Sequence, residues 1–217
     1  MKTDEALKRD VEAELAWDPA VNASAVGVAV NDGVVTLTGH LDSYAQKWAV
    51  DKALRRLAGV KAIAMELDVQ VAPDHVRSDT EIAQAAETAL KWHTMVPTDA
   101  IQLRVDKGWV TVEGRVDWDF ERRAVEATLR HLKGVVGLTN DIQLKQTPTP
   151  ATLAELIEAA LSRQATRQAE RMTIITDADG TVTLRGTVHS WYERGAAVGA
   201  AWAAPGVRNV INELKIG

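Results

Sequence analysis

With 217 residues, 46% of them apolar and 25% charged, the chain has material for one or two ordinary domains or three small ones. A net charge of −5 excludes bulk nucleic-acid binding, which needs clustered Lys and Arg to displace counterions, and adhesion to anionic lipid through charge alone. The absence of cysteine excludes disulfides, thiolate metal sites and cysteine nucleophiles.

The opening stretch, MKTDEALKRDVEAELAWD, carries Asp4, Glu5, Asp10, Glu12 and Glu14 and lacks the apolar core of a signal peptide. No apolar run approaches the roughly 20 residues that a membrane-spanning helix needs. A cytoplasmic location is therefore expected, or a periplasmic one if a leader has been removed.

The first element is an amphipathic helix. Leu7, Val11 and Leu15 recur every four residues, which puts them on one face. A strand follows with Val26, Val28 and Val30 on one side, then the turn Asn31-Asp32-Gly33, whose residue types tolerate positive φ. In the next strand Val35 and Leu37 alternate with Thr36 and Thr38, one set for a core and one for water. Ser43 is a plausible N-cap for a second helix, with Ala45, Ala49, Ala53 and Leu57 as its apolar face. Gly59 ends that helix, and KAIAMELDV makes a closing strand.

The same order then returns twice. Gly33, Gly39 and Gly59 are spaced by 6 and 20 residues, and so are Gly108, Gly114 and Gly134, and Gly180, Gly186 and Gly206. Each third glycine is followed by Val: Val60, Val135 and Val207. The second helix face is Ile82, Ala86 and Leu90, and the third is Leu153, Ile157 and Leu161. Ile101, Leu103 and Val105 form the second unit's first strand; Val110 and Val112, then Val182 and Leu184, repeat the alternating one. The turns read DKG and DADG, the latter one residue longer. Asp117 and Ser190 stand as caps of the later second helices, with apolar faces Phe120, Ala124 and Leu132, and Tyr192, Ala196, Ala200 and Ala204. The closing strands are VGLTNDIQL and RNVINELKI.

The expected fold is α+β: three tandem α-β-β-α-β domains over 1–72, 77–146 and 148–217. Each has a three-stranded mixed sheet with two helices on one face. The strand–helix–strand crossover is expected to be right-handed if its strands are parallel neighbours. The proline-bearing segments Ala72–Asp79 and Gln146–Thr152 are linkers, short enough for neighbouring domains to touch.

The glycine frame, the GVVTLTG strand and the closing GVRNVINEL resemble the BON domain family over nearly the whole chain, as three tandem copies. The resemblance implies the α-β-β-α-β fold and a non-enzymatic binding role. It also implies attachment to phospholipid membranes or another envelope component under osmotic or other stress. Two departures stand out. No export signal is read here, and Met65 stands where Asn140 and Asn212 fit the family pattern.

Gly39, Gly114 and Gly186 are placed just past the second strand, where glycine permits positive φ or close backbone approach. The nine repeat glycines are read as structural, with a ligand-facing backbone surface as the alternative for these three. The five histidines show no ligand spacing, DADG lacks the rest of a calcium loop, and no nucleophile–base pair is recognised. No enzyme activity, metal or cofactor is expected.

Arg122 and Arg123 stand in a mixed-charge helix with Arg115, Arg130 and Lys133 against Asp117, Asp119, Glu121 and Glu126. They are either salt-bridged surface or a site for lipid headgroups or an acidic partner. Trp17 and Trp92 occupy equal positions and are expected to pack on the sheet or a neighbour. Trp48, Trp118 and Trp191 have no counterparts among the copies and are candidates, with Arg122 and Arg123, for an interaction surface. The expected partner is phospholipid or a membrane surface, the alternative a protein bound by a cytoplasmic scaffold, and nucleic acid is not expected.

Overall fold

The computed structural model describes residues 2–145, 152–163 and 172–216. The first repeat consists of α1 (Asp4–Trp17), β1 (Val26–Asn31), β2 (Val34–Leu41), α2 (Tyr44–Leu54) and β3 (Ala62–Val69). The second consists of α3 (Asp79–Lys91), β4 (Ile101–Asp106), β5 (Trp109–Val116), α4 (Asp119–Leu129) and β6 (Gly137–Leu144). The third consists of α5 (Leu153–Arg163), β7 (Met172–Thr176), β8 (Thr181–Val188), α6 (Trp191–Trp202) and β9 (Asn209–Ile216). Each repeat folds its three strands into one sheet in chain order. In the first and third, the first pair is antiparallel and the second parallel, with the second helix as the crossover.

The hairpins show how local chemistry sets the register. Asp32 and Gly33 both take positive φ, 49° and 78°, as do Lys107 and Gly108, at 51° and 77°. Paired positive φ makes the two-residue turn whose twist matches the flanking strands. Register then follows: Val30 faces Val35 and Val28 faces Leu37. The third hairpin carries one extra residue, and Thr176 faces Val182. Its turn is closed by the Asp179 carboxylate, which accepts from Thr181 N at 2.9 Å. That hydrogen bond holds the Asp179 carboxyl below the usual carboxylate range.

Burial follows the alternation. Val35, Leu37 and Leu41 of β2 are buried, while Thr36 is half-buried and Thr38 exposed. The α1 stripe Leu7, Val11 and Leu15 covers that face, and Ile82, Ala86 and Leu90 and then Leu153, Ile157 and Leu161 do the same in the later repeats. Burying each Leu, Ile or Val contributes about 1.5–3 kcal/mol. The third repeat has its own contiguous core joining α5, β8, α6 and β9.

The apolar face of the second helices matches the alanine spacing only in part: Ala49, Ala53 and Ala200 are buried as expected, but the buried stripe is centred to one side of the predicted one. The buried residues are Ala49, Val50, Ala53 and Leu54 in α2, Val125 and Leu129 in α4, and Ala197, Ala200 and Ala201 in α6. Phe120 and Tyr192 are exposed. A one-residue offset turns the face by about 100°, and small alanines flank the true stripe closely enough to disguise it. The caps show a related shift. Ser43 and Ser190 accept from the backbone N–H groups of Gln46 and Glu193, whereas α4 opens at Asp119, so Trp118 rather than Asp117 precedes it.

Gly39, Gly114 and Gly186 lie inside their strands, not past them. The central strand runs on because its parallel partner continues to the Leu41–Val69 pair, while the antiparallel partner starts only at Val26, opposite Gly39. The chain enters β1 from a short 3-10 turn, Ala23–Ala25, and the Ala25 carbonyl fills the space where a side chain on residue 39 would stand.

The segment Ala72–Asp79 holds a second 3-10 turn, Pro73–His75, and the cap of α3. Ser78 Oγ accepts from Glu81 N, while the Glu81 carboxylate accepts from Ser78 N and Ser78 Oγ. These bonds hold the Glu81 carboxyl below its usual range. The other expected linker, residues 146–151 with Thr152, lies almost wholly outside the described residues. The contact pattern divides the chain into two compact units, one of Met1–Arg115 with Glu121–Gln143, the other of Val116–Phe120 with Leu144–Gly217.

Candidate functional site

The candidate interaction residues fall in three different settings. Trp48 lies on the middle of α2, half-buried, within the first compact unit. The guanidinium carbon of Arg130, from α4 of the second repeat, stands 4.0 Å from the Trp48 ring centroid, and Lys52 Nζ stands 5.1 Å from it. Arg130 is only 8% exposed and is pinned by Glu126, donating from Nη2 to the carboxylate at 3.2 Å and from Nε to the carbonyl at 3.3 Å. Tyr44, one helical turn before Trp48, has its phenol pKa raised first by burial and then by the nearby Glu126 charge. Trp48 therefore joins the first two repeats through a cation–π contact, and much of its surface is taken up inside the chain.

Trp118 is exposed at the start of α4, and Trp191 opens α6 half-buried with the Arg194 guanidinium 4.9 Å from its ring centroid. Arg122 is half-buried and Arg123 exposed on α4. In the mixed-charge set around them, Arg130 pairs with Glu126 and Lys145 with Asp117, at 3.2 and 3.1 Å. Trp17 and Trp92 do not pack on a sheet or a neighbour: they are 83% and 84% exposed. Each lies two residues past the last buried helix position, Leu15 or Leu90, which is about 200° round the helix and therefore on the water side.

Among the described residues no group of three or more His, Asp or Glu side chains is placed to hold a metal ion. No helix among them is long and apolar enough to cross a membrane.

The sequence of the BON domain matches residues 3–71, 78–146 and 149–217. The chain belongs to the BON family. It is 25% identical over 146 residues to osmotically-inducible protein Y of Escherichia coli, a match spanning 65% of this chain and 73% of that protein. Two solved chains of CdsD, a structural protein of the type III secretion system of Chlamydia trachomatis, align over 96% and 100% of this chain and 91% and 100% of theirs. They do so at 14% and 15% identity and a TM-score of 0.27, too low to inform its fold or role.

Within the three BON repeats, the variable Asn of the closing strand has a visible task. Asn140 Nδ2 donates to the Arg122 carbonyl at 3.1 Å, tying β6 to α4, and its Oδ1 accepts from Ile142 N. Asn212 Oδ1 likewise accepts from Leu214 N. Where Met65 replaces Asn, the tie is rebuilt from the helix side: Lys47, which stands in the same repeat position as Arg122, donates Nζ to the Leu67 carbonyl at 2.7 Å.

Two sets of residues escaped the sequence reading. Asp4 accepts from Asp32 N and Gly33 N at 2.7 and 3.0 Å, and Asp79 accepts from Lys107 N and Gly108 N, both at 2.8 Å. The first acid of α1 and of α3 thus locks the hairpin turn of its repeat, at a sequence separation that local turn chemistry does not reveal. A legible signal existed: both acids stand three residues before the first buried helix position, where the third repeat has Pro150. The second omission is Trp109, which lies on the outer face of the second sheet.

Proposed function

We propose that the chain is a non-catalytic BON-type binding module acting in a stress response, osmotic stress in particular, with phospholipid or another envelope component as its ligand. The observation that carries this is the threefold BON match over nearly the entire chain, together with the similarity to a protein named for osmotic induction. The exposed basic side chain of Arg123, beside half-buried Arg122 on α4, supplies a cationic point for an anionic headgroup on a chain of net charge −5. Vesicle flotation with neutral and anionic phospholipid tests it. Association is expected and is expected to weaken in Arg122→Ala/Arg123→Ala. Failure of the intact protein to float with either composition would reject lipid as the ligand.

A second reading is favoured by the exposed aromatic residues Trp118, Phe120 and Tyr192 at the starts of α4 and α6. Here the chain is a cytoplasmic scaffold that binds protein, gaining avidity from tandem domains. Affinity capture with Trp118→Ala and Trp191→Ala variants distinguishes the readings, since identical partner sets would count against a tryptophan-marked surface. Cell fractionation tests the compartment.

A further inference from the structure

Trp109 opens β5 and points to the face of the second sheet that the helices leave uncovered, alternating with buried Val110 and Val112. Its ring lies over β6. A Cβ placed on Gly137 would come within 2.3–2.4 Å of the ring carbons Cε3 and Cζ3, and the indole Nε1 donates to Thr139 Oγ1 at 2.9 Å. The ring is held flat by these two contacts, and the residue remains 49% exposed.

The fold does not demand this arrangement. At the same repeat positions the first repeat has Val34 and Ala62, and the third has Thr181 and Asn209. The second repeat alone pairs a large planar side chain with the glycine that makes room for it. On the neighbouring strand Asp106 faces Trp109, and Arg104 faces Thr111 two pairs further along, on the same face. With Thr139, these place both donors and acceptors around an exposed aromatic plane. An acyl chain would want apolar neighbours, which this collar lacks. A stacked nucleobase would bring phosphates to a chain of net charge −5. A pyranose ring has the matching chemistry: apolar C–H faces to lie on the indole, and a rim of hydroxyls to meet carboxylate, guanidinium and threonine groups.

We infer that the outer face of the second sheet is a saccharide-binding platform, with Trp109 as its floor and Asp106, Arg104, Thr111 and Thr139 as its polar rim. It stands apart from the lipid reading, since it uses a different face and ligand class.

The test is native electrophoresis of the full chain through gels cast with hydroxyethyl cellulose, dextran or glycol chitin. Retardation is expected in at least one gel. Trp109→Ala should weaken it about tenfold, the scale of one lost stacking contact, while Trp109→Phe keeps part of it. Trp92→Ala removes a more exposed tryptophan of the same repeat and should change nothing. Three gels that leave the wild type unretarded would overturn the inference. So would equal retardation of Trp109→Ala and wild type, or equal weakening by the two alanine variants. Vesicle flotation that depends on Trp109, without any gel retardation, would assign the face to lipid instead. Far-UV circular dichroism of each variant separates lost binding from lost folding, and Trp109→Phe carries the test if the alanine variant unfolds.

Discussion

Alanine at position 39 should be far more damaging than its size suggests. Gly39 sits at φ 125°, and a Cβ there would lie 2.1 Å from the Ala25 carbonyl oxygen. That is more than about 1 Å short of a tolerable contact, so backbone must move. The unfavourable φ costs about 1–3 kcal/mol. Moving Ala25 away loosens the Val26–Gly39 end of the β1–β2 ladder, and each hydrogen bond lost there costs about 0.5–1.5 kcal/mol. With two such bonds lost the sum is about 2–6 kcal/mol, a large share of the roughly 5–15 kcal/mol that stabilises a typical domain. Urea denaturation of Gly39→Ala should therefore show the first repeat largely or wholly unfolded. Gly114→Ala, where the added Cβ meets Ala100 O at 2.2 Å, should do the same in the second repeat. Gly199 is the control: it lies within α6, and an added Cβ meets nothing within 4 Å. Alanine there should stabilise by up to about 1 kcal/mol through helix propensity. A Gly39→Ala protein within about 1 kcal/mol of wild type would refute the claim that the close carbonyl, rather than chance, requires glycine.

Three other outcomes are expected. Asp4→Ala and Asp79→Ala each remove two hydrogen bonds to a hairpin turn and should cost about 1–2 kcal/mol, read by thermal denaturation; no loss in either would show the turns to be self-sufficient. A double-mutant cycle on Trp48→Ala and Arg130→Ala should give a coupling of about 1–2 kcal/mol, because the guanidinium is nearly buried where it meets the ring, and additive losses would deny the contact an energetic role. The Tyr44 phenol, identified by difference from Tyr44→Phe, should ionise above its ordinary value of 10.0 in an absorbance titration. The folded chain holds that proton more tightly than the unfolded one. The stability linked to it is thus fully present below the ordinary value and is lost as pH climbs from there through the raised one. Ionisation at or below the ordinary value would contradict the burial of Tyr44 against α4.

The repeat itself was legible because short-range rules govern its parts. Glycines at a 6-and-20 spacing, β-alternation in GVVTLTG and the stripe Leu7, Val11, Leu15 each report local backbone geometry, and three copies let each reading check the others. The candidate surface was less legible. Trp48 looked free because nothing in α2 announces that α4 of the next repeat lies against it. Trp109 is legible only by comparing the repeats, since Gly137 opposite an exposed ring is a compensation visible once the three copies are aligned.

Hairpin register, strand alternation and the three α-β-β-α-β units were determined by the sequence alone, because positive-φ turns and period-two burial are decided within a few residues of chain. Tertiary structure decided which side of the second helices is buried, that Gly39 lies within its strand against a carbonyl, and that Trp48 meets Arg130 of the next repeat. Those outcomes depend on packing between elements far apart in sequence, and the helical period alone cannot tell one stripe of small apolar residues from its neighbour about 100° away.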